Sequence, residues 1–300
     1  MNTTVLIAQS YGSADKVLEF YTQELPPLNS DMARIKVKTA GINPIDARRM
    51  TGEFKHGNMP QTFGTEFAGE ILEINSDNNQ FKVGDAVLGS GGSFTHATVI
   101  DVPIGNLISK PESMSWEVAG SLAGVSQTAS TILDEIGDIK SLLIHGASGG
   151  VGSITIQLAK ERGIDVVATA SSKNQDYLKK LGAVPVIYGE GLVDRLKEVH
   201  PEAFDASIDM SGTEEATQAS LSTVKADGFI GTIAGKLVSS PRVKPVWVKR
   251  NVNNLKHVVE GVAKGKFYWE VDKVFPFEKA AEAYTYILEG HTRGKNVLQF

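Results

Sequence analysis

The stretch Gly146-Ala147-Ser148-Gly149-Gly150-Val151-Gly152 decides how this sequence folds, because of what stands on either side of it. Before it, Ser141–His145 carries Leu142, Leu143 and Ile144 in a row, as a buried parallel strand does. After it, Val151, Ile154, Leu158 and Ala159 recur at helical spacing until Gly163. Glycines alone are common in turns. Glycines that open a helix directly after a strand let backbone N–H groups and the positive helix N-terminus approach an anion closely. The segment therefore reads as a cradle for a dinucleotide pyrophosphate, with a tight structural turn as the other reading.

The chain around it has 300 residues, 41% of them hydrophobic, enough for two ordinary domains with filled cores. The formal net charge is −5 and the 30 Lys and Arg form no long basic run, so neither a nucleic acid nor an anionic membrane is expected as a partner. The absence of Cys excludes disulfides and thiolate zinc sites and fits a reducing, cytoplasmic setting. No run reaches the roughly 18 apolar residues that a spanning helix needs. Residues 1–8 lack a basic flank and read as a first strand, not a secretion signal.

Up to about Pro111 the sequence is short apolar runs divided by Gly, Pro, Asn and Asp: 33–40, 67–74, 85–88 and 93–100 are expected strands. After Trp116 the rhythm changes. Strands expected at 141–145, 166–170, 186–188, 206–210 and 229–234 alternate with helical segments stopped by Gly182 and Gly228, the signature of a doubly wound parallel sheet of Rossmann type. A helix over 277–288 and a last strand over 295–300 are expected to return to the first domain. The expected division is 1–115 with 266–300 as a β-rich catalytic domain, and 116–265 as the dinucleotide-binding domain.

In units of this kind an acid at the end of the second strand bonds the adenosine ribose and selects NAD. Here that strand is followed by Ser171, Ser172, Lys173 and Asn174, with no acid. Hydroxyls and a lysine suit the 2′-phosphate of NADPH, and Tyr188 at the next strand end offers a further donor. Lys173 and Tyr188 also have ordinary readings, as a helix-start lysine and a strand-end aromatic.

Several segments together resemble one family, the zinc-independent quinone oxidoreductase branch of the medium-chain dehydrogenases and reductases. They are Ala-Gly-Ile-Asn-Pro-Ile-Asp (40–46), Gly-Thr-Glu-Phe-Ala-Gly (64–69), Phe-Lys-Val-Gly-Asp-Ala-Val (81–87), Thr128 with Ala129, the glycine loop, Lys-Leu-Gly-Ala (180–183) and Arg-Gly-Lys-Asn-Val-Leu (293–298). The resemblance runs through nearly the whole chain. It implies a chaperonin-10-like β-barrel built from both chain ends beside a Rossmann domain, with the active site in the cleft between them. It also implies NADPH as cofactor, a quinone or an α,β-unsaturated carbonyl compound as substrate, and a homodimer. Zinc relatives have Cys where this chain has Asn43 and His where it has Thr65, so no metal site is expected. Ala147 replaces the first glycine of the loop motif, as is common in this branch.

By the same resemblance Asn43 and Asp46 border the nicotinamide end, Thr128 contacts the cofactor, and backbone near Ile233 and Ala234 bonds its carboxamide. Composition alone makes 43–46 a turn, so Asp46 stands open between function and turn. Arg48 reads either as a ligand for a substrate carbonyl or as an exposed loop arginine, and Phe54 either lines the pocket or packs beneath Gly52. His145 reads as buried structure and His56 as a loop residue. An enoyl-thioester reductase, a non-catalytic NADPH-binding regulator and, most weakly, a zinc alcohol dehydrogenase remain the alternatives.

Overall fold

A computed structural model describes residues 1–55, 57–77, 80–236, 239–290 and 292–300. His56 lies outside the described residues. In chain order the elements begin with β1 (Asn2–Ala8), α1 (Ala14–Val17), β2 (Leu18–Glu24), β3 (Met32–Ile42), α2 (Pro44–Thr51), β4 (Gln61–Thr62), β5 (Glu66–Asn75), β6 (Ala86–Ser90), β7 (Val99–Pro103) and β8 (Leu107–Ser109). There follow α3 (Trp116–Ala119), α4 (Ala123–Ile136), β9 (Ser141–His145), α5 (Gly150–Glu161), β10 (Asp165–Ala170), α6 (Gln175–Leu181), β11 (Val184–Ile187), α7 (Leu192–Val199), β12 (Phe204–Asp209) and α8 (Glu214–Thr223). The last are β13 (Val224–Thr232), β14 (Lys244–Pro245), α9 (Val252–Ala263), β15 (Val271–Pro276), α10 (Ala280–Glu289) and β16 (Lys295–Gln299).

Two compact units result. Unit 1 comprises Met1–Gly124, Val252–Lys266 and Glu270–Phe300; unit 2 comprises Val125–Asn251 and Phe267–Trp269. The boundaries expected at 115/116 and 265/266 therefore move. The short helix α3 packs on β3 and β5, and α9 packs on β8, so both belong with the barrel strands.

Unit 1 holds a sheet in the order β15-β16-β3-β5-β6-β8, with β7 also paired to β3, and a smaller sheet β2-β1-β4. The C-terminal strand β16 runs antiparallel to β3, with Asn296 opposite Ile42, so the chain end completes a sheet begun near the start. Alternation along β3 sends Ala33, Ile35 and Val37 into one core with Phe67, Ile71 and Val102. A second core gathers Ile42, Met50 and Phe63 against Ala283, Tyr284 and Ile287 of α10. The strand expected over 93–100 forms only from Val99, because Ser93 adopts φ 58° and Ala97 makes an isolated bridge to Val5. Residues 43–46 are a helix start, not a free turn: Asn43 N-caps α2, and the same residue types favour both.

Unit 2 is a parallel sheet in the order β11-β10-β9-β12-β13-β14. The order reverses between β9 and β12, which places the crevice used by ligands of such sheets beyond the C-terminal end of β9. Gly182 ends α6 in the left-handed conformation at φ 100°. Gly228 is not a helix stop. It lies inside β13, where a Cβ would come within 2.6 Å of the Asp205 carbonyl of β12.

His145, the last residue of β9, is buried as expected. Its Nδ1 meets Thr169 Oγ1 at 3.1 Å, and Nε2 has no hydrogen-bond partner among the described residues. Burial lowers its pKa from 6.5 to about 4. Between those values the unfolded chain binds the extra proton, so the stability this residue contributes is complete above pH 6.5 and lost as pH falls towards 4. Urea unfolding at pH 7 and pH 5 is expected to show wild type losing stability on acidification, by up to about 1.4 kcal/mol per pH unit from this group. His145→Gln is expected to flatten that dependence. An unchanged difference between the two pH values would rule out His145 as its source.

Candidate functional site

The glycine loop connects β9 to α5 as its sequence demands. Gly149 N-caps α5, and the first-turn N–H groups of Gly150, Val151 and Gly152 point out of the helix without intrahelical acceptors. Gly152 lies so close beneath the loop that a Cβ would approach the Ala147 carbonyl oxygen to 2.5 Å. Gly146 takes φ 68° against the backbone of Ser211. Ala147 is buried and its N–H donates to Thr169 O at 3.1 Å, which anchors the loop to β10. This cradle of small residues around a helix N-terminus fits a dinucleotide pyrophosphate.

The end of β10 carries no acid, as expected. Ser171 follows the strand, and Ser172 and Lys173 are exposed on a short 3-10 turn. Asn174, given no role by the sequence alone, is buried and donates from Nδ2 to Ser148 Oγ at 3.1 Å and Ser171 Oγ at 3.4 Å. It ties the glycine loop to the residues that follow β10. Tyr188 is exposed, and its loop is held by Arg195, whose guanidinium donates to the carbonyls of Ile187, Gly189 and Glu190 at 2.7–3.0 Å. Thr128 is half-buried on α4.

The backbone at Ile233 and Ala234 follows the end of β13. Ile233 N–H donates to Asp209 O at 3.0 Å and Ala234 N–H to Thr232 Oγ1 at 3.1 Å, so both donors are committed inside the unit and only carbonyls can meet a carboxamide there. Asp209, also missed, is buried and accepts from Ser211 N at 2.8 Å and Gly212 N at 3.0 Å, shaping the loop after β12.

In unit 1 the residues singled out around position 43 converge on one buried carboxylate. Glu66, the first residue of β5, is fully buried. Its Oε1 accepts from Asn43 Nδ2 at 3.1 Å and from the Lys295 ammonium, and its Oε2 accepts from the Gly124 N–H at 2.6 Å. Lys295 is itself buried and arrives on β16, the strand that register places beside β3. Gly41 is required on β3 because a Cβ there would run into the Glu66 carboxylate. Asn43 also donates to Thr65 Oγ1 at 3.3 Å, so its amide is spent on Thr65 and Glu66 and cannot donate to a substrate.

Asp46 proves to be structural in its contacts. It is fully buried, with Oδ2 accepting from Asn43 N and Oδ1 from Gly64 N, each at 3.1 Å. These two contacts fix the start of α2 to the backbone that leads into β5. Arg48 is mostly buried, with Nε 3.8 Å from Glu53 on the same segment. Phe54 is half-buried, its N–H bonded to Arg48 O at 3.1 Å. Neither is drawn into the Glu66 cluster. Behind the cluster, His96 Nε2 lies 3.1 Å from Gly41 O and Nδ1 2.8 Å from Tyr284 OH. Burial lowers the His96 pKa and raises that of Tyr284, so the neutral ring donates to the carbonyl and accepts from the phenol.

These donors do not fit a catalytic zinc. An amide and a hydroxyl replace the thiolate and imidazole, and the surviving carboxylate already holds an ammonium. Among the described residues there is no group of three or more His, Asp or Glu placed to hold a metal ion.

Known proteins match this chain over nearly its whole length. Residues 29–112 fit the model of the alcohol dehydrogenase GroES-like domain, and residues 150–260 that of the zinc-binding dehydrogenases. The mitochondrial NAD(P)H oxidoreductase RTN4IP1 of Bos taurus is 30% identical over an alignment spanning 97% of this chain and 88% of that protein. The 2-methylene-furan-3-one reductase of Solanum lycopersicum is 30% identical over 96% of this chain and 76% of that protein. The chain belongs to the zinc-independent quinone oxidoreductase branch of the medium-chain dehydrogenase/reductase family. The solved quinone oxidoreductase of Coxiella burnetii superposes on this family member with a TM-score of 0.86 at 28% identity, covering 100% of both chains. As a medium-chain reductase it is an NAD(P)H-dependent oxidoreductase with a GroES-like unit and a Rossmann unit. Among its described residues no helix is long and apolar enough to cross a membrane.

The pair between Lys295 and Glu66 gives this reductase a sharp energetic signature, because removing one partner strands the other charge in the interior. Lys295→Met is expected to cost about 3–5 kcal/mol of unfolding free energy. Adding Glu66→Gln removes the stranded charge and is expected to recover most of that loss. Chemical denaturation of the four proteins of the cycle measures it; additive losses would show that the two charges do not interact.

Proposed function

We propose that the enzyme uses NADPH to reduce quinones or α,β-unsaturated carbonyl compounds. The observation that carries this reading is the state of Glu66. Its carboxylate is engaged by an ammonium, an amide and a backbone N–H, so this part of the chain has no Lewis acid for a carbonyl oxygen and leaves it the Thr65 hydroxyl. Reduction of a simple ketone makes an alkoxide, a strong base that needs a metal or an acid beside it. A quinone or an enone instead yields a hydroquinone anion or an enolate, whose charge is delocalised and takes its proton from solvent. Hydrogen bonds suffice for such acceptors.

The relatives point the same way. The tomato reductase is named for a methylene conjugated to a ring ketone, and the Coxiella protein is a quinone oxidoreductase. When bound, the nicotinamide supplies the hydride. The chain's part is to hold the pyrophosphate at Ser148 to Gly152, to offer Thr128 to the cofactor, and to receive the adenosine end at Ser171, Ser172, Lys173 and Tyr188. Lys173 and the two serines meet a 2′-phosphate without a carboxylate to repel it, which supports NADPH over NADH.

Turnover with a panel of quinones, enones and acyl-CoA enoyl thioesters, followed at the nicotinamide absorbance, tests the reading. Quinones or free enones are expected to be reduced with NADPH in preference to NADH. Thioester reduction alone would move the assignment to an enoyl-thioester reductase, and NADPH binding without any turnover would make the protein a regulator. With an active acceptor, Lys173→Ala is expected to raise KM for NADPH about tenfold, roughly the 1–1.5 kcal/mol of one charge-assisted contact, and to leave KM for NADH unchanged. Equal effects on both cofactors would remove the 2′-phosphate from this segment.

A further inference from the structure

We propose that the Thr65 hydroxyl is the hydrogen-bond donor that receives the developing oxyanion of the acceptor. The proposal rests on the reading of the substrate as a quinone or enone. It begins from a donor count in the Glu66 cluster. Both protons of the Asn43 amide that the cluster uses go to Thr65 Oγ1 and Glu66 Oε1, the Lys295 ammonium is turned onto Glu66, and the Gly124 N–H is spent on Glu66 Oε2. The ammonium keeps further protons but is buried, so among the half-buried groups of the cluster Thr65 is the one left with a proton to give. Its Oγ1 accepts from Asn43, and no acceptor for its own O–H lies within hydrogen-bond reach among the described residues.

The direction of the Asn43 amide is not arbitrary. A flipped amide would turn its oxygen towards the Glu66 carboxylate, so the buried negative charge forces the NH2 group to that side and onto Thr65. Accepting a hydrogen bond polarises a hydroxyl and strengthens its own donation. The Lys295–Glu66 pair therefore acts on Thr65 through Asn43: the pair and the amide are positioning groups, and the hydroxyl is the group that touches substrate.

The hydroxyl is also held still, as a preorganised donor must be. Gly64, just before it, sits at φ 88° with its N–H on Asp46 Oδ1. The Thr65 carbonyl accepts from Gly91 N at 3.0 Å, and the Glu66 carbonyl accepts from Thr95 Oγ1 at 3.0 Å. The backbone is thus fixed on both sides, while the side chain remains half-buried and reachable. This gives the buried Asp46 a use: it fixes the backbone that aims Thr65.

In the reaction the enone gains a hydride at its β-carbon, the electron pair of its C=C bond shifts to leave the charge on the carbonyl oxygen, and one solvent proton then completes the α-carbon. For a quinone the hydride pair leaves the charge on a ring oxygen, which solvent protonates. Thr65 transfers no proton; it donates a hydrogen bond that strengthens as the oxygen becomes anionic.

Single-turnover reduction of an acyclic enone and of a series of substituted benzoquinones at saturating NADPH tests this, with NADPH affinity and thermal midpoint measured on the same proteins. Thr65→Val, which keeps the shape and loses the hydroxyl, is expected to slow the hydride step about 100-fold with NADPH affinity within about twofold. Thr65→Ser is expected to stay within about fivefold of wild type. The valine deficit should grow from electron-poor to electron-rich quinones, because the more basic oxyanion gains more from the bond. If valine disturbs folding, Thr65→Ala compared with Thr65→Ser carries the same contrast. An active wild type with the valine or alanine variant equally fast, or slowed by the same factor on every quinone, overturns the role of Thr65 alone. An inactive wild type instead overturns the quinone and enone reading, and the role of Thr65 with it.

Discussion

The buried ion pair between Glu66 and Lys295 is the contact on which unit 1 is organised. It joins residues 229 positions apart, and the same carboxylate gathers the Asn43 amide and the Gly124 N–H. Burying a carboxylate and an ammonium is costly unless both find partners, and here the carboxylate meets three donors. The pairing also explains why the last strand of the chain must return to β3: Lys295 has to reach a residue fixed near the start of β5. Gly41 and the capped start of α2 are consequences of fitting around that carboxylate.

Unit 2 is organised by a different constraint, the close approach of α5 to the loop after β9. Gly152 lets the helix come down on Ala147, and Ala147 in turn is pinned to β10. The replacement of a glycine by Ala147 is tolerated because its methyl group is buried in the unit while Gly149 and Gly150 keep the helix mouth open. At the end of β10, Asn174 links Ser148 and Ser171, while Ser172 and Lys173 stay exposed.

What the sequence made legible follows from how local each signal is. The order of strands and helices in unit 2, the glycine loop and the acid-free strand end are read from neighbours a few residues apart, and the structure places them as expected. The Asn-Pro-x-Asp segment was legible as a turn signal, but its residue types serve a helix N-cap equally well. Asp46 looked chemical because a carboxylate beside a motif asparagine does; only the fold shows both its oxygens taken by backbone N–H groups. Lys295, His96 and Tyr284 could not be assigned to the site from one chain, since their partners lie 55 to 229 positions away. Thr65 was visible as the position where zinc relatives have His, and only the fold shows that the Asn43 amide bonds it together with Glu66. Gly228 misled because a glycine after a helical run resembles a C-cap, whereas here it admits the neighbouring strand.

If the Lys295 ammonium on Glu66 takes the place of a metal, hydride transfer proceeds on hydrogen bonds alone. The most direct measurement is turnover with NADPH and an accepting quinone or enone on protein purified through chelator, with bound metal quantified in the same sample. Full activity at well below one metal ion per ten chains, unchanged by added zinc, is the expected result. Activity that disappears with chelation and returns in proportion to added zinc would contradict the account.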